Sequence, residues 1–518
     1  MNRLSFTILL LLPVLLHAAD PADLEKQIAR GRQIYIEGTS PSGGEIIAVM
    51  SDAGVEVPAT AVPCASCHGR DGKGRPEGGV QPTDLTWTNL TKPYGVTHAS
   101  GRKHPPYDER SLKRAISLGL DPAGQKLHVA MPRFRMNLQD MADLTAYMKR
   151  LGTERDPGVS DTSLRVGVIL PPAGSLSAMG QAVRSALTAR FEALNKTGGI
   201  YGRRVEPRFL EAPAAADQRR AWTADFLQRE EIFVGLASFL AGADAELASL
   251  FQEKEVPLIG PFTLHPREAF PLNRYVFYLL PGVEAQGQAL LRFAAGKWEG
   301  KPQAAVVAPA GPELDGAVEA LTKAAAAAGW PAPLVLRLRD GSAAQDLQRL
   351  AAAKADPVFF LGSGAEGAAL LQAADRLDWR PRFLATAAAA DDSLFKAPAA
   401  FDGKVFLALP TSGPSPEAAA SYRALAAGAK LPADNVSAQL SALAAAEVLI
   451  EALEKAGREL SREKLVDELE KLRQFQSGYA PPVTYNVSRR LGARGAYVMR
   501  LDLAGGRLVS EGGWVEVE

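Results

Sequence analysis

The sequence predicts a multidomain chain, a small all-α module followed by a larger α/β module, and three observations carry that prediction. Up to about residue 150, apolar residues recur at helical spacings around one short cysteine motif. From residue 164, near-continuous apolar runs alternate with helical stretches, as they do when a parallel sheet is covered on both faces. Between the two, the charged, proline- and serine-containing stretch "TERDPGVSDTS", residues 153–163, reads as linker. The divisions expected are a leader at 1–19, a first module at 22–150, a linker at 151–163 and a second module at 164–518. At about 150 residues per domain the chain holds about three compact units, and its 47% hydrophobic residues can fill their cores.

The leader reads "MNRLSFTILLLLPVLLHAAD". Arg3 supplies the positive start, Leu4 to Leu16 the apolar run, and Ala18 and Ala19 the small residues of a cleavage site. The run is shorter than the ~20 apolar residues of a spanning helix, so an export signal is favoured, with a retained anchor as the alternative. A soluble exported protein follows, most simply in a bacterial periplasm. The 58 basic and 58 acidic residues cancel, so nothing points to nucleic acid or an anionic membrane as partner.

The motif, "VPCASCHGRDGKG" at residues 62–74, contains both cysteines of the chain, Cys64 and Cys67, with His68 directly after. A Cys-x-x-Cys pair serves as a redox dithiol, as half of a zinc site or as the attachment point of a c-type haem, and the adjoining histidine is specific to the third. A structural zinc site would need four protein ligands, and no further cysteine exists to supply them. A thioredoxin-like dithiol opens a helix after a strand, whereas Pro63 precedes this pair and a glycine-rich loop follows. Haem attachment is therefore favoured, with the dithiol and zinc as alternatives. Two thioethers from Cys64 and Cys67 fix the porphyrin edge, and His68 projects its imidazole at the iron.

Two helices frame this motif. "DLEKQIARGRQIYIEG" places Leu24, Ile28, Ile34 and Tyr35 along one side, with Gly31 leaving room for a close approach. In "NLQDMADLTAYMKRLG", Leu138, Met141, Leu144, Met148 and Leu151 share a face, Asn137 is the N-cap and Gly152 the stop. The second iron ligand must come from the far side of the ring, and Met131, Met136, His98, His104 and His128 are the candidates. Met131 is preferred, because "HVAMPRF" is non-helical and Pro132 holds the residue before it extended. Met141 and Met148 belong to the helical stripe and read as core.

The stretches "CASCHGRDGKG", "YDERSLKRAISLGLDPAG" and "MPRFRMNLQDMADLTAYMKRLG" resemble a class I cytochrome c over roughly residues 30–150. The resemblance implies one covalent, six-coordinate haem c that moves single electrons, with His68 and Met131 as axial ligands. The insertion "GVQPTDLTWTNLTKPYGVTHASGRKHPPYDE" is longer than in a minimal cytochrome. Its Trp87, Tyr94 and Tyr107 read either as packing around the porphyrin or as loop anchors. Thioether sulfur favours reduced iron relative to a second imidazole, so a moderate to high potential is expected.

In the second module "LRVGVIL" is a buried strand, followed by the loop "PPAGSLSAMG" and the helix "QAVRSALTARFEALNKTGG". The alternation continues through "EIFVGLA", "VPLIGPF", "QAAVVAP", "LVLRLR" and "PVFFLGS". Ligands of such folds gather where strands end at their carboxyl edge. The loops to watch are 173–180, 237–242, 260–264, 362–366 and 386–391. Ser175 and Ser177 either cap the following helix or leave its N–H groups open to an anion. "GSGAEG" at 362–367 lacks the context of a dinucleotide fingerprint, and no P-loop lysine or nucleophile elbow is present.

The stretches "VGVILPPAGSLSAMGQAVRSALTARFEALNKTGGIYGRRVE", "IFVGLASFLAGADAELASLFQEKEVPLIGPFT" and "YVFYLLPGVEAQGQALLRFA" are similar to type I periplasmic binding proteins of the leucine/isoleucine/valine kind. The resemblance implies two α/β lobes, at about 164–281 plus 411–480 and about 284–408 plus 484–518, closing on a small ligand. It carries the ligand contacts onto Ser175, Ser177, Ala237, Ser238, Phe239, Phe262, Thr263, Leu264, Gly364 and Thr386. Where amino-acid binders carry an acidic residue for the ammonium group, this chain has Thr386 and Ala387, with Asp391 and Asp392 a few residues on. A less polar or non-amino ligand, such as a small acid, alcohol or aromatic, is expected.

No acid/base or nucleophilic constellation is assembled in the sequence, so chemistry on the ligand is not expected. The leading expectation is a periplasmic electron carrier whose second module binds a small organic ligand or docks an oxidoreductase such as a dehydrogenase. The alternatives are the substrate-binding component of an ABC importer, with its permease as partner and the cytochrome as tether or redox sensor, and a peroxidase-like haem with an open sixth position.

Overall fold

The computed structural model describes residues 21–50, 53–74, 80, 82–98, 101–152, 155–268, 270–338 and 343–517, with backbone alone at 21 and 343–346. The expected leader at 1–19 lies outside the described residues. The chain divides into two compact units, the first ending at Arg155 and the second beginning at Asp156.

The first unit runs α1 (Pro21–Glu37), β1 (Ile47–Met50), β2 (Val55–Pro58), α2 (Cys64–His68), α3 (Trp87–Leu90), β3 (Val96–Thr97), β4 (Lys103–His104), α4 (Glu109–Leu118), β5 (Arg133–Arg135) and α5 (Leu138–Arg150). Its frame is the crossing of α1 on α5, and Gly31 makes the crossing possible. A Cβ there would lie 2.0 Å from the Asp143 carbonyl oxygen. Arg30 clamps the same place, its Nε 2.6 Å from a carboxylate oxygen of buried Asp143. Asn137 caps α5 as the spacing predicts, accepting the Asp140 N–H at 2.9 Å. The apolar stripes meet in one core of Ile28, Ile34, Tyr35, Met141, Leu144, Met148 and Leu151, joined by Leu112 and Ile116 of α4. Each such side chain fully buried contributes about 1.5–3 kcal/mol.

Both stripes are shorter than the spacing suggests. Leu24 is 40% and Leu138 90% exposed, because each sits in the first turns of its helix, beyond the crossing. A small antiparallel sheet, ordered β2–β1–β5, joins the helices. Its strands are three and four residues long, too short for an alternating pattern to stand out. Tyr107 packs in the core while Tyr94 projects into solvent.

In the second unit β6 (Ser163–Leu170), α6 (Ser177–Lys196), β7 (Arg204–Glu211), α7 (Ala216–Arg229), β8 (Val234–Leu236), α8 (Asp244–Glu253), β9 (Leu258–Ile259) and β10 (Val276–Phe277) build the first lobe. Its parallel sheet is ordered β10–β9–β8–β6–β7. The second lobe follows with α9 (Val283–Lys297), β11 (Ala305–Pro309), α10 (Asp315–Ala327), β12 (Leu334–Leu338), α11 (Ala343–Ala352), β13 (Val358–Phe360), α12 (Gly364–Arg376), β14 (Phe383–Thr386) and β15 (Val405–Leu409). The chain returns to the first lobe for α13 (Pro416–Ala429), α14 (Val436–Ala456) and α15 (Arg462–Leu469), then ends with β16 (Gly495–Asp502) and β17 (Arg507–Glu516) on the second sheet. That sheet is ordered β12–β11–β13–β14–β15–β16–β17, with β16 and β17 antiparallel. Among the described residues α14 alone is long and apolar enough to cross a membrane. It is instead core, with Ala442, Leu443, Leu449 and Leu453 fully buried against α6 and the first sheet.

Candidate haem centre and ligand cleft

The cysteine motif forms a helix of little more than one turn. Pro63, extended at ψ 157°, starts it, and Gly69 at φ 73° ends it. That end is pinned from outside, since the Tyr35 hydroxyl donates to the Gly69 carbonyl at 2.8 Å. His68 is buried, and its Nδ1 lies 2.9 Å from the Thr83 carbonyl oxygen. A carbonyl only accepts, so Nδ1 carries the hydrogen and Nε2 presents its lone pair. Burial pushes the basicity of His68 down, against the pull of that carbonyl. Burial likewise pushes the Cys64 thiol up to about 12. An activated dithiol needs a depressed thiol instead.

Cys64, Trp87, Leu127, Met131 and Met136 all pack, partly buried, against the same core. Met131 follows a turn closed by its own N–H on the His128 carbonyl at 2.9 Å. Met141 and Met148 are buried within the α5 stripe. The three candidate histidines are engaged elsewhere. His98 and His104 face one another, Nε2 to Nε2 at 3.0 Å, and exposed His128 accepts the Ala130 N–H through Nδ1. Among the described residues no group of three or more His, Cys, Asp or Glu is placed to hold a metal ion.

In the second unit the crossovers settle where the lobes open. The first leaves β10 at its carboxyl end for α9, and the second leaves the carboxyl end of β15 for α13. The third enters antiparallel β16 beside that same end, with Leu409 opposite Tyr497. The carboxyl edges of the two sheets therefore face each other across the crossovers. The first and third crossovers also pair, Tyr278 N–H to the Arg490 carbonyl and Gly492 N–H to the Tyr278 carbonyl, both at 2.8 Å.

The loops expected to hold the ligand lie at these edges, but much of their polarity is spent locally. Neither serine caps α6. Ser177 Oγ accepts the Gly174 N–H at 2.8 Å, Leu176 stands at the cap without a side-chain bond, and Ser175 is exposed. Ser238 is fully buried, accepting the Ile169 N–H and donating to the Leu236 carbonyl. Its neighbours Phe239 and Phe262 form a parallel bridge that extends the sheet. Ala237 takes φ 43°, a strained value for a residue with a Cβ. Thr263 donates to Asp244 and accepts the His265 N–H, while Leu264 is exposed.

On the second lobe, Gly364 opens α12 behind a capping box of Ser363 and Glu366, which explains "GSGAEG". A Cβ on Gly364 would fall 2.2 Å from an Asp391 carboxylate oxygen. Thr386 is fully buried and its hydroxyl has no partner. Two functional-site neighbours, Gln286 and Glu268, escaped the sequence reading, and Asp391, which it named, was not placed against Gly364. Gln286 joins Ala387 to the first crossover, accepting the Ala387 N–H and donating to the Pro281 carbonyl, both at 2.8 Å. Glu268 takes the Arg490 and Leu491 N–H groups at 2.7 Å and the Arg494 guanidinium at 2.6 Å. Asp391 fills the notch at Gly364. None lies in a motif, and only the chain's return in space brings them to the cleft.

Comparison with known proteins agrees with this division. Residues 163–507 match the periplasmic binding protein family and residues 53–152 the cytochrome c family. Among solved structures the chain is similar to a fatty acid ABC transporter substrate-binding protein from Thermomonospora curvata, at 19% identity and TM-score 0.57, covering 70% of this chain and 95% of that one. It is also similar to a branched chain amino acid ABC transporter from Thermus thermophilus with bound valine, at 20% identity and TM-score 0.56, covering 69% and 97%. A search of curated proteins finds no match. A cytochrome c domain implies haem c, and the donor set fits it: two thiols on one short helix, an imidazole with its Nε2 lone pair presented, and thioethers on the same core. The chain belongs to the periplasmic binding protein family, a family of the periplasm, and carries a cytochrome c domain ahead of its binding-protein fold.

Proposed function

We propose that this protein is an exported electron carrier coupled to a solute-binding module, reaching the periplasm through the leader at 1–19. Cys64 and Cys67 hold a single haem c as thioethers, His68 is the proximal ligand and Met131 the distal one. The haem supplies one-electron redox chemistry. The protein supplies the rest: Thr83 fixes the His68 tautomer, Tyr35 holds the helix end at Gly69, and the apolar core excludes water. The observation that carries this reading is the buried His68 with Nδ1 tied to Thr83 at 2.9 Å, one residue after Cys67.

The second module binds a small organic ligand between the facing carboxyl edges. Self-satisfied Ser177, Ser238 and Thr263 leave exposed Ser175, the buried Thr386 hydroxyl and the apolar Phe239, Phe262 and Leu264 to meet it. This set supports a ligand of low polarity over a free amino acid. A second reading, delivery of solute to an ABC permease, is favoured by the similarity to substrate-binding proteins of such transporters. One experiment tests both modules: pyridine haemochrome and redox titration of the purified chain, then thermal unfolding with amino acids, carboxylic acids, alcohols and aromatics. Ligand at a hundred times its Kd adds about 2.7 kcal/mol. A haem-free protein would sink the electron-carrier reading, and stabilisation by branched-chain amino acids alone would replace the ligand reading with the transport one.

A further inference from the structure

The edges of the cleft hold two sets of donors suited to an anion, and each is spent on a carboxylate of the protein itself. On the first lobe the Thr263 hydroxyl donates to one oxygen of Asp244, and the Gly242 N–H donates to the other at 3.0 Å. Thr263 and Gly242 follow the carboxyl ends of β9 and β8, so Asp244 draws the donors of two cleft loops onto its own charge. On the second lobe the N–H groups of the first turn of α12 favour negative charge. Asp391 lies against that turn, its carboxylate oxygens 2.2 and 2.5 Å from where a Cβ on Gly364 would stand, and the Glu366 carboxylate closes the capping box there. Asp391 also accepts the Ser393 N–H at 2.7 Å. Among the described residues neither Asp244 nor Asp391 is paired with an arginine or lysine.

We infer that Asp244 and Asp391 set the specificity of the cleft: by occupying its anion-binding donors they turn carboxylates away, and they select an amine with an apolar body and no carboxylate. This rests on the reading of the cleft as the binding site of a low-polarity ligand. A ligand carboxylate would meet two like charges and find the Thr263 hydroxyl and the start of α12 already engaged, and juxtaposed like charges cost affinity. An ammonium gains instead, because a carboxylate that accepts one or two hydrogen bonds keeps lone pairs for charge-assisted bonds from a cation. Thr386 marks the same edge independently. Its buried hydroxyl, without a partner, ends β14 at the head of the loop that carries Asp391, and a hydroxyl oxygen also accepts an ammonium N–H. The cations of these edges do not restore an anion site. Arg219 is buried and spends its guanidinium on the Pro213, Ala214 and Ala241 carbonyls, and Arg267 is exposed to water.

The test is isothermal titration calorimetry of the full haem-loaded chain with two matched sets of compounds. One set is isopentylamine, isopentanol, isocaproate and leucine; the other is phenethylamine, phenethyl alcohol, hydrocinnamate and phenylalanine. In at least one set the amine should bind about tenfold or more tightly than the acid and the amino acid, the size of one hydrogen bond to a charged group. Asp391→Asn, at an exposed side chain, keeps the shape and removes the charge, so it should weaken the amine about tenfold and leave the alcohol unchanged. Asp244→Ala frees the Thr263 hydroxyl and the Gly242 N–H and should admit the acid. An acid or amino acid that binds the wild type as tightly as its amine, or an amine whose affinity is unchanged in Asp391→Asn, would overturn the proposal while leaving the cleft a binding site. Binding of no compound from either set would remove the ligand reading and the proposal with it. Should Asp244→Ala fail to fold, Asp391→Asn decides alone.

Discussion

The His68 imidazole and the Thr83 carbonyl, 2.9 Å apart, set the direction in which the buried ring presents its free nitrogen. Thr83 is no part of the cysteine motif; it lies in the loop that folds back over it. The backbone acceptor works whatever side chain stands at 83, so Thr83→Val should leave haem attachment intact. Cys64→Ala with Cys67→Ala should abolish covalent haem in a denaturing gel stained for haem. Met131→His should keep a low-spin spectrum while lowering the midpoint potential by on the order of 0.1 V in a redox titration. An unchanged midpoint would shift the distal role to Met136.

Gly31→Ala forces a methyl group to within 2.0 Å of the Asp143 carbonyl oxygen. Backbone cannot yield as a flexible side chain does, so α1 must separate from α5. A loss of about 3 kcal/mol or more is expected for the cytochrome unit, read by chemical denaturation followed at the haem absorption.

Arg490 is 2% exposed and pairs with Glu470 at 2.6 Å beside the crossovers, its guanidinium 4.6 Å from the Phe277 ring centre. Glu470→Ala leaves that charge buried without its carboxylate. The second unit should lose about 3–5 kcal/mol, measured by urea unfolding with circular dichroism. The double change Glu470→Ala, Arg490→Met should recover much of the loss.

Thr386 offers the opposite case, a buried hydroxyl with no partner. Thr386→Val should leave the ligand-free protein as stable or up to about 1 kcal/mol more stable. The same variant should show a smaller thermal shift with whichever ligand stabilises the wild type. Equal shifts in both would place the hydroxyl outside the binding site.

Glu511 joins Lys297 of α9 to Arg500 of β16. The Lys297 bond, with Arg500 adding to it, holds the Glu511 carboxyl below its ordinary value. The folded state therefore releases this proton more readily than the unfolded one. Its contribution is present above the ordinary glutamate range near pH 4.5 and is lost as pH falls below it. Glu511→Gln should cost about 1 kcal/mol at pH 7, after discounting for solvent screening, and progressively less as pH falls below the ordinary glutamate value, by thermal unfolding across that range.

Element by element, the sequence was legible where a periodic pattern ran long enough. β6, with eight residues of nearly unbroken apolar character, and α5, with its Asn137 cap, are both apparent from spacing alone. The stripes failed at their ends, at Leu24 and Leu138, because spacing does not tell how far a partner helix extends. The short strands of the first sheet were invisible for want of residues to alternate. In the cleft, residue type identified hydroxyls at the right loops, but not that Ser238 and Thr263 would bond their own surroundings.

What the sequence by itself determined is local: the attachment chemistry of Cys64, Cys67 and His68, because two residues of spacing put all three on one helical turn, and the strand–helix alternation, because side-chain period follows backbone geometry. Only the tertiary structure decided which groups meet from distant segments. Thr83 reaching His68, Asp391 filling the notch at Gly364, Glu268 holding the third crossover and His98 facing His104 all depend on where loops return. A hydrogen bond requires about 3 Å between partners, and no spacing in the chain specifies that distance across a fold.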